Sequence, residues 1–420
     1  MSVRVWRNPG QVDLEAEHLR ICMCKSSTVD TTIYTLVHRP WLSPGGSLQC
    51  IRMPPLKPRC PHDPDPENDF KSVQIEYQPA SLLTNPNPLH VCGGGAAAVG
   101  SDIFYFGGFL GTHGNRNFQN TVAHLNPSTR TVSQVNIVGS SPTRKAFFGM
   151  CSYEKLNECY VFGGLGERPS ETDRVQTPAS YLEITRGRYV NNAVHVLVTG
   201  DYASTGSCTW REMLYTGDAP DPRYSSAFIN RDNFAYVFGG VCNSSVEFGN
   251  DLHRLNLRSA EWSGALPVTG ELPSARCRAS LALSSTSLLV LCGGVGQIGT
   301  NLSSHNDIFI FHTELLCWYG VNTSHIQPPL ETRFSHYSCQ DIIGDVYIVG
   351  GRMSPNNNNQ ATTIVRVRTE PLSLQNLALQ VYGGIATSED VESLGHLIQR
   401  LARKIRMEPC SSCSPPHAWM

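Results

Sequence analysis

The feature that most constrains the fold is a short strand-like segment, ending in two glycines, that recurs along the chain. Each copy is a run of aromatic and aliphatic residues followed by a doublet: Gly107-Gly108, Gly163-Gly164, Gly239-Gly240, Gly293-Gly294 and Gly350-Gly351. Successive first glycines are 56, 76, 54 and 57 residues apart, and the longest interval contains an insertion at 167–191. A fixed period of about fifty residues indicates a repeat architecture in which each copy is one supersecondary unit.

Other parts of the unit repeat with the glycines. An arginine follows a Pro- or Ser-containing turn 16 to 19 residues before a doublet, at Arg144, Arg223, Arg276 and Arg333. After the doublet, an Asn-led segment begins a third strand at Asn120, Asn192, Asn250 and Asn306, and a tryptophan often follows at Trp210, Trp262 or Trp318. We interpret the glycines as bends, the arginines as strand starts and the tryptophans as wedges between neighbouring units. All three kinds of residue are expected to be structural.

This period fits kelch blades, so the sequence predicts an all-β fold, a kelch β-propeller of six blades followed by a short helical tail. Five doublets give five blades. Residues 31–39 and 47–51 are expected to supply outer strands of a sixth, and 52–90, rich in Pro and Asp, a long surface loop. Pairing of the two chain ends would close the ring and remove exposed sheet edges. The predicted divisions are 1–88, a divergent blade and Pro-rich loop; 89–368, the kelch repeats; 369–406, the helical tail; and 407–420, a disordered end.

Composition excludes several classes of function. The chain has 33 basic and 35 acidic residues, a net charge of −2, and no block of like charge that would attract nucleic acid or a membrane surface. Its first residues lack the apolar core of a signal peptide, so we expect a cytoplasmic or nuclear protein with reduced cysteines. Cys410 and Cys413 form a close pair without a second pair at zinc-finger spacing. No metal and no cofactor are expected.

The tail differs from the repeats in its periodicity. Leu374, Leu377, Ala378 and Val381 lie at i, i+3, i+4 and i+7, which predicts a short amphipathic helix. A capping-box pattern at Thr387 to Asp390 precedes a second amphipathic pattern that extends to Ile405. The two helices either fold back on the propeller as a lid or dock their apolar faces on a partner protein.

With these elements, the chain from about Leu89 to Ile398 resembles the kelch domain-containing substrate receptors of elongin-cullin ubiquitin ligases. The resemblance rests on the long insertion, on the blade around Tyr236 to Trp262, and on the tail from Ser373 to Ala378. It implies that the tail binds elongin B/C, with Leu374 as the anchor in the elongin C pocket and Leu377, Ala378 and Val381 beside it. It also implies a cullin scaffold as partner, although Ser393-Leu394 stands where the family usually has Leu-Pro.

Receptors of this family are similar in using one propeller face as a basic pocket for a substrate C-terminus. The resemblance implies that Arg188 corresponds to one of the family's pocket arginines. Two further arginines of the family correspond to Val241 and to Glu247 or Phe248 in this chain. Cys277-Arg278 stands where the family has Ser-Trp. A carboxylate requires charge-assisted donors, so Arg188 and Arg278 are the candidate degron-binding residues. The alternative is that Arg278 is a solvated surface charge and Arg188 belongs to a mobile insertion.

Three functions are compatible with this pattern. The first is a non-enzymatic substrate-recognition subunit of a cullin-RING E3 ubiquitin ligase, which binds a degron on the propeller face. The second is a kelch scaffold for protein-protein interaction without a ubiquitin role. The third, a propeller enzyme, is disfavoured because the fourteen histidines are scattered and no metal, phosphate-loop or nucleophile-elbow motif is present, so no catalytic residue is predicted.

Overall fold

Strand follows strand through most of the chain. The structure is a computed structural model, and it describes residues 2–7, 22–26, 31–37, 47–53, 74–78, 92–110, 116–126, 129, 131–169, 178–185, 187–242, 247–284, 287–298, 301–324, 326, 329–341, 344–356, 359–361 and 363–369. Besides three smaller sheets, this part of the chain contains six sheets built on four antiparallel strands each. In five of the six the order of these strands in space follows the chain, whereas the sixth takes its outermost strand from the N-terminal segment. We number these sheets 1 to 6.

The first three sheets come from the N-terminal half. Sheet 1 comprises Cys22–Ser26, Thr31–Val37, Ser47–Met53 and Gln74–Gln78. Sheet 2 comprises Gly95–Val99, Asp102–Phe106, Val122–Asn126 and Thr131–Gln134. Sheet 3 comprises Gly149–Tyr153, Glu158–Phe162, Val194–Val198 and Ser207–Glu212, with Asn136–Val138 added in parallel at its edge.

The last three sheets repeat this plan. Sheet 4 comprises Ala227–Arg231, Phe234–Val241, Phe248–Asn256 and Glu261–Ala265, with Thr216–Asp218 in parallel at its edge. Sheet 5 comprises Ser280–Leu283, Leu288–Cys292, Ile308–His312 and Cys317–Gly320, with Thr269–Gly270 in parallel. Sheet 6 comprises Tyr337–Gln340, Val346–Val349, Thr363–Arg368 and the N-terminal strand Ser2–Arg7.

Shorter strands form three smaller sheets. One of these smaller sheets consists of Lys145–Ala146, Leu165–Gly166, Arg188–Asn191 and Tyr181–Thr185. Arg276–Cys277, Val295–Ile298 and Asn301–Ser304 form another, and Phe109–Leu110 pairs with Asn117–Phe118. One α-helical turn, Tyr202–Thr205, and one 3-10 turn, Glu154–Leu156, lie among the described residues.

Sheets 2 to 6 pack face to face, each against the next, through buried side chains. The first strands of sheets 2, 3, 4, 5 and 6 contact one another in that order, and the first strand of sheet 6 contacts that of sheet 1. As predicted, tryptophans fill the spaces between sheets: the ring centroids of Trp262 and Phe162 are 5.3 Å apart. Trp318 lies 5.5 Å from Phe238 of the preceding sheet in the same way. The core is therefore divided among the interfaces between sheets, as in a propeller.

The chain ends meet as expected. Ser2–Arg7 pairs antiparallel with Thr363–Arg368, with Ser2 opposite Arg368 and Arg7 opposite Thr363. This pairing confirms the predicted closure between the first and last strands, because it gives sheet 6 its fourth strand. The number of blades and the predicted domain boundaries stay predictions.

The N-terminal region differs from the expectation in two details. Thr31–Val37 and Ser47–Met53 are strands, but they are the two central strands of sheet 1 and not its outer strands. Gln74–Gln78, within the region predicted as loop, pairs with Ser47–Met53 and supplies one edge of the same sheet. The loop prediction was wrong at this strand because alternation of apolar residues over only five positions is a weak signal.

Candidate functional site

Three of the four arginines that recur before doublets are structural residues. Arg223 is 2% exposed, and its two terminal nitrogens donate to both carboxylate oxygens of Asp251 at 2.8 Å. Arg276 makes the same pair with Asp307, at 2.6 and 2.9 Å. Arg333 instead donates to the side chain and the carbonyl of Thr363. These buried pairs tie the start of one sheet to its third strand, which confirms the structural interpretation of the repeated arginines.

The first of the four predicted arginines is displaced by one position. Arg144 is exposed, whereas Lys145 is fully buried. The carbonyl oxygen of Lys145 accepts a hydrogen bond from the Gly108 amide, and the carbonyl oxygen of Arg223 accepts the equivalent bond from the Gly164 amide. Lys145 thus occupies the position of the buried arginine in this unit. Burial, together with the Lys145 charge, lowers the pKa of His195 well below its ordinary value. A charged lysine therefore favours a neutral imidazole there.

Two positions beyond each buried cation, the backbone turns into the left-handed region. Phe147, Ser225, Arg278 and Ser335 have φ of 59°, 57°, 55° and 52°. The amide of each donates to the carbonyl of its counterpart in the preceding unit, in the series Ser335 to Arg278 to Ser225 to Phe147 to Gly93, at 2.6 to 3.0 Å. A continuous chain of backbone hydrogen bonds therefore crosses from sheet to sheet at the Gly-Gly end, and it brings these four residues to the same end of the molecule.

Four arginines gather around aromatic rings at this end of the molecule. We call the group the arginine face; it consists of Arg116, Arg188, Arg278 and Arg352 with Phe109, Phe118, Phe147 and Phe334. The guanidinium carbon of Arg278 lies 5.6 Å from the Phe147 ring and 5.9 Å from the Phe334 ring. Stacking of this kind orients a guanidinium while leaving its edge available for hydrogen bonds.

The other cations join the same rings. Arg116 lies 5.4 Å from the centre of the Phe147 ring, on which Arg278 also lies. Arg188 lies 4.5 Å from the Phe118 ring and donates to the carbonyl of Arg116 at 2.9 Å. Arg352 lies 5.8 Å from Phe334. The four cations are thus linked in one row, Arg188, Arg116, Arg278 and Arg352, by shared rings and one hydrogen bond.

Like charges at this spacing raise the electrostatic potential of the face. The pKa of Arg116 is lowered, first by burial and then by the positive charge of Arg188, although Tyr224 acts to raise it. Tyr224 itself is buried enough that its pKa is raised, although Arg278 and Arg116 act in the opposite direction. Its hydroxyl group is therefore a neutral donor among cations. Such an arrangement can bind an anion, with guanidinium and phenol donors around it and phenyl rings beside it.

Both sequence-predicted degron residues belong to the arginine face. Arg188 begins the strand Arg188–Asn191, and Arg278 follows the strand Arg276–Cys277; both side chains are partly buried against rings. Their roles in binding a ligand stay predictions. Val190, Val241 and Cys277 are buried and apolar, so they form the support of this face.

Sequence reasoning missed Arg116 and Arg352. Arg352 directly follows a doublet, and of the five doublets only Gly350-Gly351 is followed by arginine, so a signal was present in the sequence. No comparable signal marks Arg116, since it reaches Phe147 from another unit. The predicted elongin-binding residues Leu374, Leu377, Ala378 and Val381 lie outside the described residues, as does the remainder of the tail beyond residue 369.

The described residues contain no group of three or more His, Cys, Asp or Glu side chains placed to hold a metal ion. The nine cysteines from Cys92 to Cys339 are free thiols. Two of the buried histidines have side-chain partners within the fold, Ser280 for His336 and Asp251 for His253. No helix within the described ranges is long and apolar enough to cross a membrane.

The chain folds as a kelch β-propeller, a class of domain that generally mediates protein-protein interaction: its strands end in Gly-Gly doublets, and tryptophans fill the spaces between its sheets. The chain belongs to the KLHDC2/KLHL20/DRC7 kelch-repeats domain family, which it matches over residues 93–351.

Curated proteins of similar sequence carry kelch-domain names. The chain is 27% identical over 269 residues to Kelch domain-containing protein 2 of Bos taurus, covering 63% of this chain and 62% of that protein. It is 25% identical over 341 residues to Kelch domain-containing protein 1 of Homo sapiens, covering 77% and 78%. The match thus spans less than two thirds of the bovine relative. A solved structure of YjhT superposes with a TM-score of 0.57 at 12% identity, covering 87% of this chain and 98% of that one, which shows the shared fold.

Proposed function

We propose that this chain is the non-enzymatic substrate-recognition subunit of a cullin-RING E3 ubiquitin ligase. In this proposal the arginine face binds a degron, the C-terminus of a substrate protein, and the tail recruits elongin B/C and a cullin scaffold. Ubiquitin transfer takes place on other subunits of the assembly. The protein acts in the cytoplasm, the nucleus or both, where such ligases are assembled.

The observation that carries the proposal is the convergence of Arg116, Arg188 and Arg278 on neighbouring phenylalanine rings. A terminal carboxylate has two acceptor oxygens, which suit the paired donors of a guanidinium. Phe147 and Phe334 are buried between neighbouring cations, so their rings hold the guanidinium groups in position for the carboxylate. A partly buried setting strengthens these charge-assisted bonds relative to those on an open surface.

Support for the recruiting role comes from the tail and from the family. Kelch-repeat domains of this family are generally protein-interaction modules, and several relatives carry the name Kelch domain-containing protein. The stripe formed by Leu374, Leu377, Ala378 and Val381 is the apolar surface that would enter elongin C. A leucine anchor in such a pocket contributes about 1.5–3 kcal/mol through burial alone.

A C-terminal peptide library tests the ligand-binding part. Peptides selected by the wild type should lose binding when their C-terminus is amidated, and should bind Arg188→Ala and Arg278→Ala about thirtyfold or more weakly, because a desolvated charge pair costs about 2–5 kcal/mol when truncated. Arg144→Ala, an exposed arginine outside the row, serves as the matched control. Equal binding of amidated peptides by all variants would contradict recognition of a terminus.

Affinity purification tests the recruiting part separately. Leu374→Asp should abolish recovery of elongin B/C while peptide binding to the arginine face is retained, since it places a charge where an apolar anchor is required. Val381→Ala, a smaller change on the same stripe, should weaken recovery less. Absence of elongin from the wild-type sample would instead favour a kelch scaffold without a ubiquitin role.

A further inference from the structure

A second concave surface lies at the opposite end of the sheets from the arginine face. In sheet 3, the 3-10 turn Glu154–Leu156 joins the first two strands, Gly149–Tyr153 and Glu158–Phe162. The Gly-Gly doublet follows the second strand at its other end, so the turn lies far from the doublet. A second turn, between the third and fourth strands of sheet 4, lies beside this 3-10 turn and includes Leu257 and Arg258. Together these turns enclose a groove of about 600 Å³ between sheets 3 and 4, which we call the turn groove.

The floor of the turn groove is apolar and firmly held. Tyr153, Met213 and Leu257 are 2%, 4% and 4% exposed and belong to the core cluster between sheets 3 and 4. The Tyr153 hydroxyl donates to the side-chain oxygen of Asn233 at 2.6 Å, which fixes the ring. A floor anchored in the core does not need to reorganise when a ligand binds, so a ligand loses less free energy to ordering the site.

The walls of the groove carry two exposed leucines. Leu156 is 53% exposed and Leu214 is 63% exposed, and both line the opening. Single exposed leucines are common on protein surfaces, but two that flank one concave apolar floor form a docking surface for an apolar side chain.

The charges at the rim are all positive. Lys155, Arg211 and Arg258 line the groove, and no Asp or Glu lines it. Arg211 is paired with Glu158 at 2.8 Å, and that carboxylate also accepts the Tyr160 hydroxyl. Among the described residues, neither Lys155 nor Arg258 takes part in an ion pair. The groove therefore combines an apolar floor with a net positive rim.

From this complementarity we propose that the turn groove binds a short acidic segment of a partner protein. A bulky apolar side chain of the segment sits between Leu156 and Leu214, and flanking Asp or Glu residues pair with Lys155 and Arg258. An internal segment is sufficient, because the rim offers separated cations and not the paired arginines of the other face. This interaction is independent of the ligand proposed for the arginine face.

Selection from a library of random twelve-residue peptides, acetylated and amidated at their ends, tests the proposal on the full chain. Wild-type protein should select peptides rich in Asp and Glu around one Leu, Ile, Met or Phe, and their affinity should fall as salt is raised. Leu214→Asp and the double variant Lys155→Glu with Arg258→Glu should each weaken these peptides tenfold or more.

Matched variants distinguish the groove from general effects. Leu315→Asp changes a leucine of equal exposure, 63%, outside the groove, and Arg144→Glu reverses an exposed charge at the other end of the molecule. Both should bind the selected peptides as the wild type does, and thermal unfolding should confirm that all variants are folded. The proposal is overturned if no selected peptide depends on Leu214, or if the peptides that do are basic or neutral.

Discussion

Arginine has two distinct roles in this chain, and residues two positions apart illustrate both. Arg276 is 1% exposed and donates to Asp307 and to the carbonyl of Gly293, so its charge is fully used within the fold. Arg278 follows the strand that Arg276 begins, and its guanidinium lies between two phenylalanine rings on the arginine face. The surroundings of the side chain, and not its type, separate the structural cation from the candidate ligand donor.

The buried cations should dominate stability. Burial by itself would raise the pKa of the Asp251 carboxyl group. Hydrogen bonds from His253 and Arg223 nevertheless hold that pKa well below its ordinary value. Arg223→Ala removes two of those bonds and leaves the carboxylate partly buried, so we expect a loss of about 3–5 kcal/mol in the free energy of unfolding. Arg254→Ala removes a contact with the Phe234 ring at 4.6 Å and a hydrogen bond with the Tyr236 side chain, and it should cost about 1–2 kcal/mol. Urea denaturation measures both, and similar small losses would refute the distinction.

His336 should make stability depend on pH. Burial, and then the positive charge of Arg333, lower its pKa to about 3. The folded protein keeps this imidazole neutral, whereas the unfolded chain binds a proton below about pH 6.5, so stability declines as pH falls from about 6.5 toward 3. His336→Gln should reduce the slope of unfolding free energy between about pH 6 and pH 4 by about 1.4 kcal/mol per pH unit.

Ser280→Ala provides the control for that measurement. It removes the hydroxyl that lies 2.8 Å from the His336 ring but keeps the imidazole, so the protein should be less stable at every pH with the same slope. A slope unchanged in His336→Gln would show that this histidine contributes nothing to the pH dependence.

At the level of elements, the Gly-Gly doublet allows a strand to leave its sheet in contact with the next one. Gly163 and Gly164 have φ of 67° and 101°, and the Gly164 amide donates to the carbonyl of Arg223 at 2.9 Å. A Cβ on Gly163 would lie 2.6 Å from that same oxygen. The doublet is therefore required both by the backbone conformation and by the close approach of the neighbouring strand.

Two alanine substitutions separate these requirements. Gly187 has a φ of 74°, but a Cβ there meets nothing within 4 Å, so Gly187→Ala should cost only the conformational strain of about 1–2 kcal/mol. Gly163→Ala adds a clash with backbone and should lose about 2 kcal/mol more. Thermal or urea unfolding measures the difference, and equal losses would show that close approach contributes little.

For the molecule as a whole, the pairing of Ser2–Arg7 with Thr363–Arg368 joins residues more than 350 positions apart. This strand covers the edge of sheet 6, which would otherwise present unpaired backbone groups. The two candidate ligand surfaces lie at opposite ends of the sheets, so each could be occupied without displacing a ligand from the other.

Replacing residues 2–7 by a Gly/Ser segment of equal length tests this closure. The variant should unfold at a lower temperature and aggregate more readily, because Gly-rich segments pair weakly and the edge is left uncovered. The same six-residue replacement at 407–412, beyond the last described strand, controls for composition. Unchanged unfolding of the 2–7 variant would mean that the terminal strand adds no stability.

Much of the fold follows from local patterns in the sequence. The period of the doublets, the strands before them and the tryptophan wedges were predictable because each results from chemistry within one unit: glycine for positive φ, and aromatic residues for a space that every neighbouring pair of sheets leaves open. Sheet 1 was harder to predict because it lacks a doublet, and Gln74–Gln78 was missed there. The arginine face was predicted in part, through Arg188 and Arg278.

The sequence by itself determined the repeat, the all-β class and the structural use of glycine and tryptophan, since these depend on backbone conformation and short-range packing. Only the tertiary structure decided that Lys145 and not Arg144 is the buried cation, because a shift of one residue moves a side chain to the other face of a strand. Only the tertiary structure shows that Arg116, which lies between the second and third strands of sheet 2, and Arg278, which precedes the first strand of sheet 5, contact the same Phe147 ring. Contacts between distant units depend on how the sheets are arranged around one another, and no local pattern in the chain encodes that arrangement.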